Sequence, residues 1–442
     1  MLKDLGKQCL LEKVGQVRDA TAERLGSSWS HAQFEAQRTR TEQLLADGQY
    51  PAAYRAATAL LQQTRAAGAL SYDVADYDLA LACLLLARVL ESTGNAVSAL
   101  SLLIEARQGF DAIIGARNSK AAARMVSVCL TEQGDCLSAL GCLDKAVTAY
   151  EEAIYYDEQR GDERDVAVGK GQLGTVYLLQ HLYPQALAAH EQARDLFTKL
   201  KEWGNVAGAW HQIGIIHHEA GQPEAAEVAF QEAYRLGSAA GQARTLGQLG
   251  NLYDDALNHP VQATQFYRQA ADICHQPGNK ADEGRQMNNL AETLRKLHRY
   301  DEARDAIQQA ITCFAEFGHT TEPWKTWQIL TNIETDCGNW EAASNAKHQA
   351  IAAYLAYRRD GGENHNTEGR IAQAVRQTLS TDGTTAAIAL LEGYLADPKW
   401  QNFHTYLNAL IAVLNGNRDP SLADATDLHY GMAAEILLLI ES

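Results

Sequence analysis

Proline is scarce in this chain, at 8 residues in 442. Proline breaks helix interiors and marks the frequent turns of all-β folds, so its scarcity favours helices. Aromatic residues are also few, at 7%. Hydrophobic residues still reach 46%, and alanine and leucine supply most of them. Small side chains let helix axes approach closely. Positive charge is in deficit: 38 Lys and Arg against 55 Asp and Glu leave a net charge of −17. A nucleic-acid backbone calls for a basic face, so no nucleic-acid partner is expected. No stretch approaches a membrane span; the apolar run from Ile436 to Ile440 is too short, and no membrane partner is expected. The opening residues Met1 to Leu5 lack the apolar run of a signal peptide, so a cytoplasmic location is expected. None of the eight cysteines forms a Cys-x-x-Cys pair. Most lie in alanine- and leucine-rich stretches, a reduced-compartment pattern and not a disulfide framework.

Signatures of catalysis are missing too. No Gly-x-x-x-x-Gly-Lys-Ser/Thr and no Gly-x-Ser-x-Gly occurs. Gly169-Lys170-Gly171-Gln172-Leu173-Gly174 matches Gly-x-Gly-x-x-Gly, but an acidic helix end and a loop precede it where a dinucleotide site needs a strand. His211, His217, His218 and Glu219 cluster on one stretch without the His-Glu-x-x-His spacing of a zinc protease. Cys129, Cys136 and Cys142 lack zinc-site spacing. No enzyme activity, catalytic residue, metal or cofactor is expected. Trp29-Ser30-His31-Ala32-Gln33-Phe34-Glu35 resembles a streptavidin-binding tag but reads better as part of an amphipathic helix.

What the chain does have is a pattern recurring about every forty residues. A helix-ending residue is followed five positions later by alanine: Gly48/Ala53, Gly94/Ala99, Gly141/Ala146, His181/Ala186, Gly221/Ala226, Asn258/Ala263, His298/Ala303 and Gly338/Ala343. Each copy reads as two helices. Around Gly214, the residues Ile213, Ile216 and Ala220 share one helical face, Gly221-Gln222-Pro223-Glu224 breaks the chain, and Ala226, Ala229, Phe230 and Ala233 form a second face. Gly174, Gly214 and Gly250 fall inside first helices, where their use is close approach of the partner helix. A period of this size means stacked units.

Leu173-Gly174-x-x-Tyr177 with Tyr183, Ala186 and Ala193 resembles the tetratricopeptide family, as do Ile213-Gly214-x-x-His217 and Leu290-Ala291-x-x-Leu294 with their partners. The copies are longer than the usual 34 residues and resemble the long repeats of kinesin light chains. The likeness spans about residues 40–355. It implies an all-α, right-handed superhelix (an α-solenoid) of about eight helix pairs. We expect N-terminal capping helices over 1–36, the array over 37–355 and a C-terminal helical cap over 356–442. In the tail, Arg358-Arg359-Asp360-Gly361-Gly362-Glu363-Asn364, Asn417-Arg418-Asp419-Pro420-x-Leu422-Ala423-Asp424 and Ala434-Glu435-Ile436-Leu437-Leu438-Leu439-Ile440 resemble the C-terminal end of large bacterial signalling proteins. Those join such arrays to nucleotide-switch modules of the STAND class or to effector domains, so a module of that kind, in the same parent or a partner, is an implied companion.

The residue before the Leu or Ile of the first-helix motif is Gln172, Gln212, Gln248 and Asn289 in four copies. Stacked helices would set these amides in a row. Two readings stand: the row clamps the backbone of an extended peptide, or it bonds neighbouring helices to one another. Family geometry adds His211, Ile215, His218, Arg244, Asn251, Asp254, Arg285, Asn288, Glu292, Arg295, Lys325 and Gln328 to the concave wall. The cations among them suit an acidic peptide or a carboxylate terminus. The function implied is recognition of a protein segment or peptide, as sensor or scaffold arm of a bacterial signalling or defence assembly. A self-associating scaffold with an empty groove and a small-ligand-binding regulator are the alternatives.

Overall fold

The computed structural model describes residues 29–275 and 279–442. Most of the expected N-terminal cap, with Cys9, lies outside the described residues. The described residues form helices and no strand, which is the all-α class expected. The chain divides into two compact units, one up to Leu236 and one from Gly237.

The first unit contains five hairpins. They are α1 (His31–Ala46) with α2 (Tyr50–Ala67), α3 (Ala75–Ser92) with α4 (Ala96–Arg117), α5 (Lys120–Ala139) with α6 (Leu143–Arg160), α7 (Glu163–Leu179) with α8 (Tyr183–Lys199), and α9 (Trp203–Glu219) with α10 (Pro223–Leu236). The second unit contains three: α11 (Ala239–Asn251) with α12 (Pro260–Cys274), α13 (Lys280–Lys296) with α14 (Tyr300–Phe314), and α15 (Pro323–Asp336) with α16 (Trp340–Arg359). Four further helices close it: α17 (Thr367–Thr381), α18 (Thr384–Ala396), α19 (His404–Leu414) and α20 (Tyr430–Glu441). Within each unit, hairpins pack side by side, the first helix of one against the second helix of the one before. No helix among the described residues is long and apolar enough to cross a membrane.

The eight anchors set this register. All eight have positive φ, because ending one helix and reversing into the next needs a left-handed residue. Glycine takes that conformation freely, as Gly221 does at φ 70°. His181, Asn258 and His298 take it at φ 58°, 54° and 55°. The two histidines hold a local bond in return: their Nδ1 atoms lie 3.2 Å and 2.8 Å from the hydroxyls of Tyr183 and Tyr300. All eight alanines five positions on are buried, since a longer side chain there would push the two helices of the pair apart.

Four interior glycines of the first helices share a packing reason. A Cβ on Gly134 would stand 2.6 Å from the Tyr150 ring, on Gly174 2.6 Å from His190, on Gly214 2.5 Å from Phe230 and on Gly250 2.4 Å from Tyr267. Each of these four pairs of helices therefore meets as a ring seated on a bare backbone. Gly214→Ala forces the fully buried Phe230 to move. We expect a loss of about 1–3 kcal/mol from overpacking, larger than the gain of up to ~1 kcal/mol from helix propensity. Urea denaturation of the variant measures it, and an unchanged midpoint would show that the ring moves at no cost.

In the second unit the closing helices share one apolar cluster with α15 and α16, including Trp324, Tyr354, Leu355, Ile371, Leu391, Tyr406, Leu410 and Ile436. An open end of a repeat stack exposes an apolar face, and helices laid over it remove that face from water. The three polar motifs of the tail meet around this cluster. Glu435, fully buried, accepts a hydrogen bond from Arg376 Nη2 at 2.6 Å and one from Asn364 Nδ2 at 3.3 Å. Arg358 Nε stands 3.2 Å from its other side as a charge contact, without the alignment of a hydrogen bond. Arg418 donates to the carbonyl of Leu439 at 2.9 Å.

Candidate recognition site

Two cavities collect the polar residues of first helices, one in each unit. In the first unit a cavity of about 290 Å³ lies between α7 and α9, with Gln172, Thr175, His190 and Gln212 in its wall. Gln172 Nε2 reaches Asp135 Oδ1 at 3.4 Å, and Tyr150 donates to the same oxygen at 2.5 Å. Burial raises the Asp135 carboxyl above its ordinary value, partly offset by the Tyr150 bond. His211 does not open onto a surface. It is buried, with its ring edge-on to Phe230 at 5.7 Å. His218 is half-buried on the same helix, one turn past Gly214. Gly169 to Gly174 lie in the middle of α7, where backbone N–H groups are already committed to the helix.

In the second unit a cavity of about 680 Å³ lies between α11 and α13. Ser238 starts α11 by accepting a hydrogen bond from the Gly241 amide, the usual work of an N-cap serine. The helix then widens into a π-turn over Leu252–Ala256. Six of the candidate residues line this cavity: Arg244, Gln248, Asn251, Arg285, Asn288 and Asn289. Their spacing on α11 and α13 is three or four residues, so they share a face.

The amides form a network with Asn251 at its centre. Asn251 Oδ1 accepts from Tyr267 Oη at 2.8 Å and from Asn289 Nδ2 at 3.5 Å, and its Nδ2 donates to Gln248 Oε1 at 3.4 Å. Burial pushes the Tyr267 phenol up, so it stays a donor at neutral pH. Asn288 Nδ2 donates to Thr326 Oγ1 at 2.9 Å, while its Oδ1 is buried with no hydrogen-bond partner. Gln286 Oε1 is buried and unpaired in the same wall. Gly247 gives that amide its place: a Cβ there would stand 2.8 Å from Gln286 Oε1. Arg285 pairs with Asp282 at 2.7 Å. Arg244 is exposed and has no ion-pair partner among the described residues.

The remaining candidates are brought into ion pairs away from the cavity. Asp254 accepts from Lys296 at 2.7 Å and from Thr293 at 3.2 Å. Arg295 holds Glu292 at 2.6 Å and also contacts Asp336. Lys325 pairs with Glu322 at 2.6 Å. Gln286, Asn279 and Asp282 line the cavity and were not singled out from sequence. Gln286 sits three residues before Asn289, a helical spacing that marks it as a neighbour on that face.

Residues 129–160, 165–239 and 285–316 match family descriptions of the tetratricopeptide repeat. These segments are tetratricopeptide repeats. Among solved structures, it is similar to a STAND-class signal transduction ATPase with a tetratricopeptide repeat sensor from Pyrococcus horikoshii, at 13% identity and TM-score 0.51. That likeness covers 76% of this chain and 55% of the other. It is also similar to the apo form of the quorum sensor NprR from B. thuringiensis, at 13% identity and TM-score 0.50, covering 79% of this chain and 95% of the other. At such identity these two show the fold alone.

Proposed function

We propose that this tetratricopeptide protein is a non-enzymatic recognition module that holds an extended protein segment or peptide, with the cavity between α11 and α13 as its reading point. The observation that carries this is the pair of buried, unpaired acceptors Gln286 Oε1 and Asn288 Oδ1 beside the unpaired guanidinium of Arg244. A buried acceptor without a partner costs about 1–3 kcal/mol. An incoming backbone N–H removes that cost, and a carboxylate satisfies the arginine. The amides around Asn251 hold the wall rigid, and Arg244 with the two free acceptors does the reading. The likeness to the Pyrococcus ATPase with its tetratricopeptide repeat sensor supports a sensor or scaffold arm in a signalling assembly.

The test is a peptide array with free acidic C-termini, read against the wild type, Arg244→Ala and Asn288→Ala. Loss of a charge-assisted bond is worth about 1.5–3 kcal/mol, so Arg244→Ala is expected to weaken the selected peptide by roughly 10- to 100-fold. Amidating its C-terminus should do the same. Equal binding by wild type and both variants would end the reading and turn attention to self-association.

A further inference from the structure

The first hairpin of the described residues carries a second polar cluster, remote in sequence from the cavity of α11 and α13. His31 and Glu35 lie one helical turn apart on α1, so both side chains leave the same face. Asp78 lies in the first turn of α3 and is fully buried. Its Oδ2 lies 2.8 Å from His31 Nδ1 and accepts from the Tyr72 hydroxyl at 2.7 Å. Its Oδ1 is buried with no hydrogen-bond partner. One donor atom each from His31, Glu35 and Asp78 can be drawn within 4.8 Å of the other two.

A carboxylate buried with one oxygen unpaired is costly to keep. The contact of His31 Nδ1 with Oδ2 leaves Oδ1 unserved. From this geometry we infer a divalent-cation site of the zinc type, with His31, Glu35 and Asp78 as ligands. Zinc takes imidazole nitrogen at about 2.0–2.1 Å and carboxylate oxygen at about 2.0–2.2 Å. Tetrahedral ligand atoms around such an ion are roughly 3.4 Å apart. Closing the present spacing to that value calls for rotation of the exposed His31 and the half-buried Glu35 side chains. The imidazole selects against calcium and magnesium, which prefer all-oxygen shells.

Glu35 is held at present by Arg38, at 2.7 Å. Arg38 also pairs with Glu42, at 3.0 Å, so releasing Glu35 to a cation does not strand the guanidinium. Tyr72 sits beside Asp78 and orients its carboxylate from outside the ligand set, a support that metal sites commonly use. The ion would tie α1 to α3, whose Asp78 is 47 residues away from His31, and would fix the start of the repeat stack. That is a structural site, and the stability it adds follows from binding the folded form alone.

The experiment is calorimetric titration of zinc chloride into the metal-stripped full chain, with melting temperature as a second readout. We expect one site per chain and a rise in melting temperature. His31→Ala and Glu35→Gln should each weaken the site by more than about tenfold, the scale seen even when an outer partner of a metal site is lost. His31 is exposed and Glu35 only half-buried, so both variants should fold, which their circular dichroism checks. His218→Ala, in the half-buried histidine pair of α9, should leave the titration unchanged. No heat and no melting shift in the wild type would overturn the site. So would a titration that His31→Ala and Glu35→Gln leave unaltered, or one that His218→Ala abolishes.

Discussion

Glu435→Ala is expected to lower the stability of the second unit by about 3–5 kcal/mol. The carboxylate is fully buried and meets Arg376, Arg358 and Asn364. Removing it leaves the guanidinium groups of Arg376 and Arg358 without the carboxylate they share. Breaking a buried pair from one side costs far more than the pair itself contributes, because the surviving charge loses water and partner together. For a unit of this size the loss corresponds to a drop in melting temperature of roughly 6–20 °C. Trp324, Trp327 and Trp400 pack in or against the cluster that Glu435 borders, so tryptophan fluorescence follows the transition. Glu435→Gln keeps an acceptor for Arg376 and should fall between the two. A melting curve for Glu435→Ala that overlays the wild type would show that the cap is held by its apolar contacts alone.

The second large effect concerns His190 and pH. The ring occupies the position that Phe230 takes in the next repeat, against a glycine of the facing helix. Burial lowers its pKa from 6.5 to about 4, and its Nε2 has no hydrogen-bond partner. Between those two values the unfolded chain binds a proton that the folded chain does not. The contribution is therefore complete above pH 6.5 and is lost as pH falls toward 4. The whole window is worth about 3 kcal/mol. His190→Phe removes the proton linkage and an unpaired buried nitrogen, worth about 1 kcal/mol at neutral pH. The variant should be more stable than wild type at pH 7, and the gap should widen as the solution is acidified. Carboxylates titrating in the same range affect both proteins alike, so the difference between the two urea midpoints isolates His190. A gap that stays constant from pH 7 to pH 4.5 would show that the folded ring takes up its proton over the same range as the unfolded one.

Much of the lining of the cavity between α11 and α13 lies at helical spacing in the sequence. Arg244, Gln248 and Asn251 fall three or four residues apart, as do Arg285 and Asn289 on the neighbouring first helix. Their division of labour could not be read. Asn251 turns out to be the amide that links α11 to α13, while Gln286, one turn before Asn289, carries the unpaired oxygen. Arg295 and Lys325 are equally cationic in sequence, but Glu292, Asp336 and Glu322 neutralise them in place. Sequence ranks such residues alike, since charge and spacing are all it displays.

The sequence alone determined the hairpins and their register. A left-handed residue closes each pair, a small residue follows five positions on, and a bare backbone receives a ring. Each of these is decided within a few turns of helix by backbone sterics and side-chain size. Tertiary structure alone decided which polar groups find partners. Asn289 meets Asn251 across 38 residues, His31 meets Asp78 across 47 and Asn364 meets Glu435 across 71. Those encounters depend on how side chains turn once the helices have packed. Burial then makes each matched or unmatched lone pair a matter of kilocalories, and no local pattern in the chain encodes that outcome.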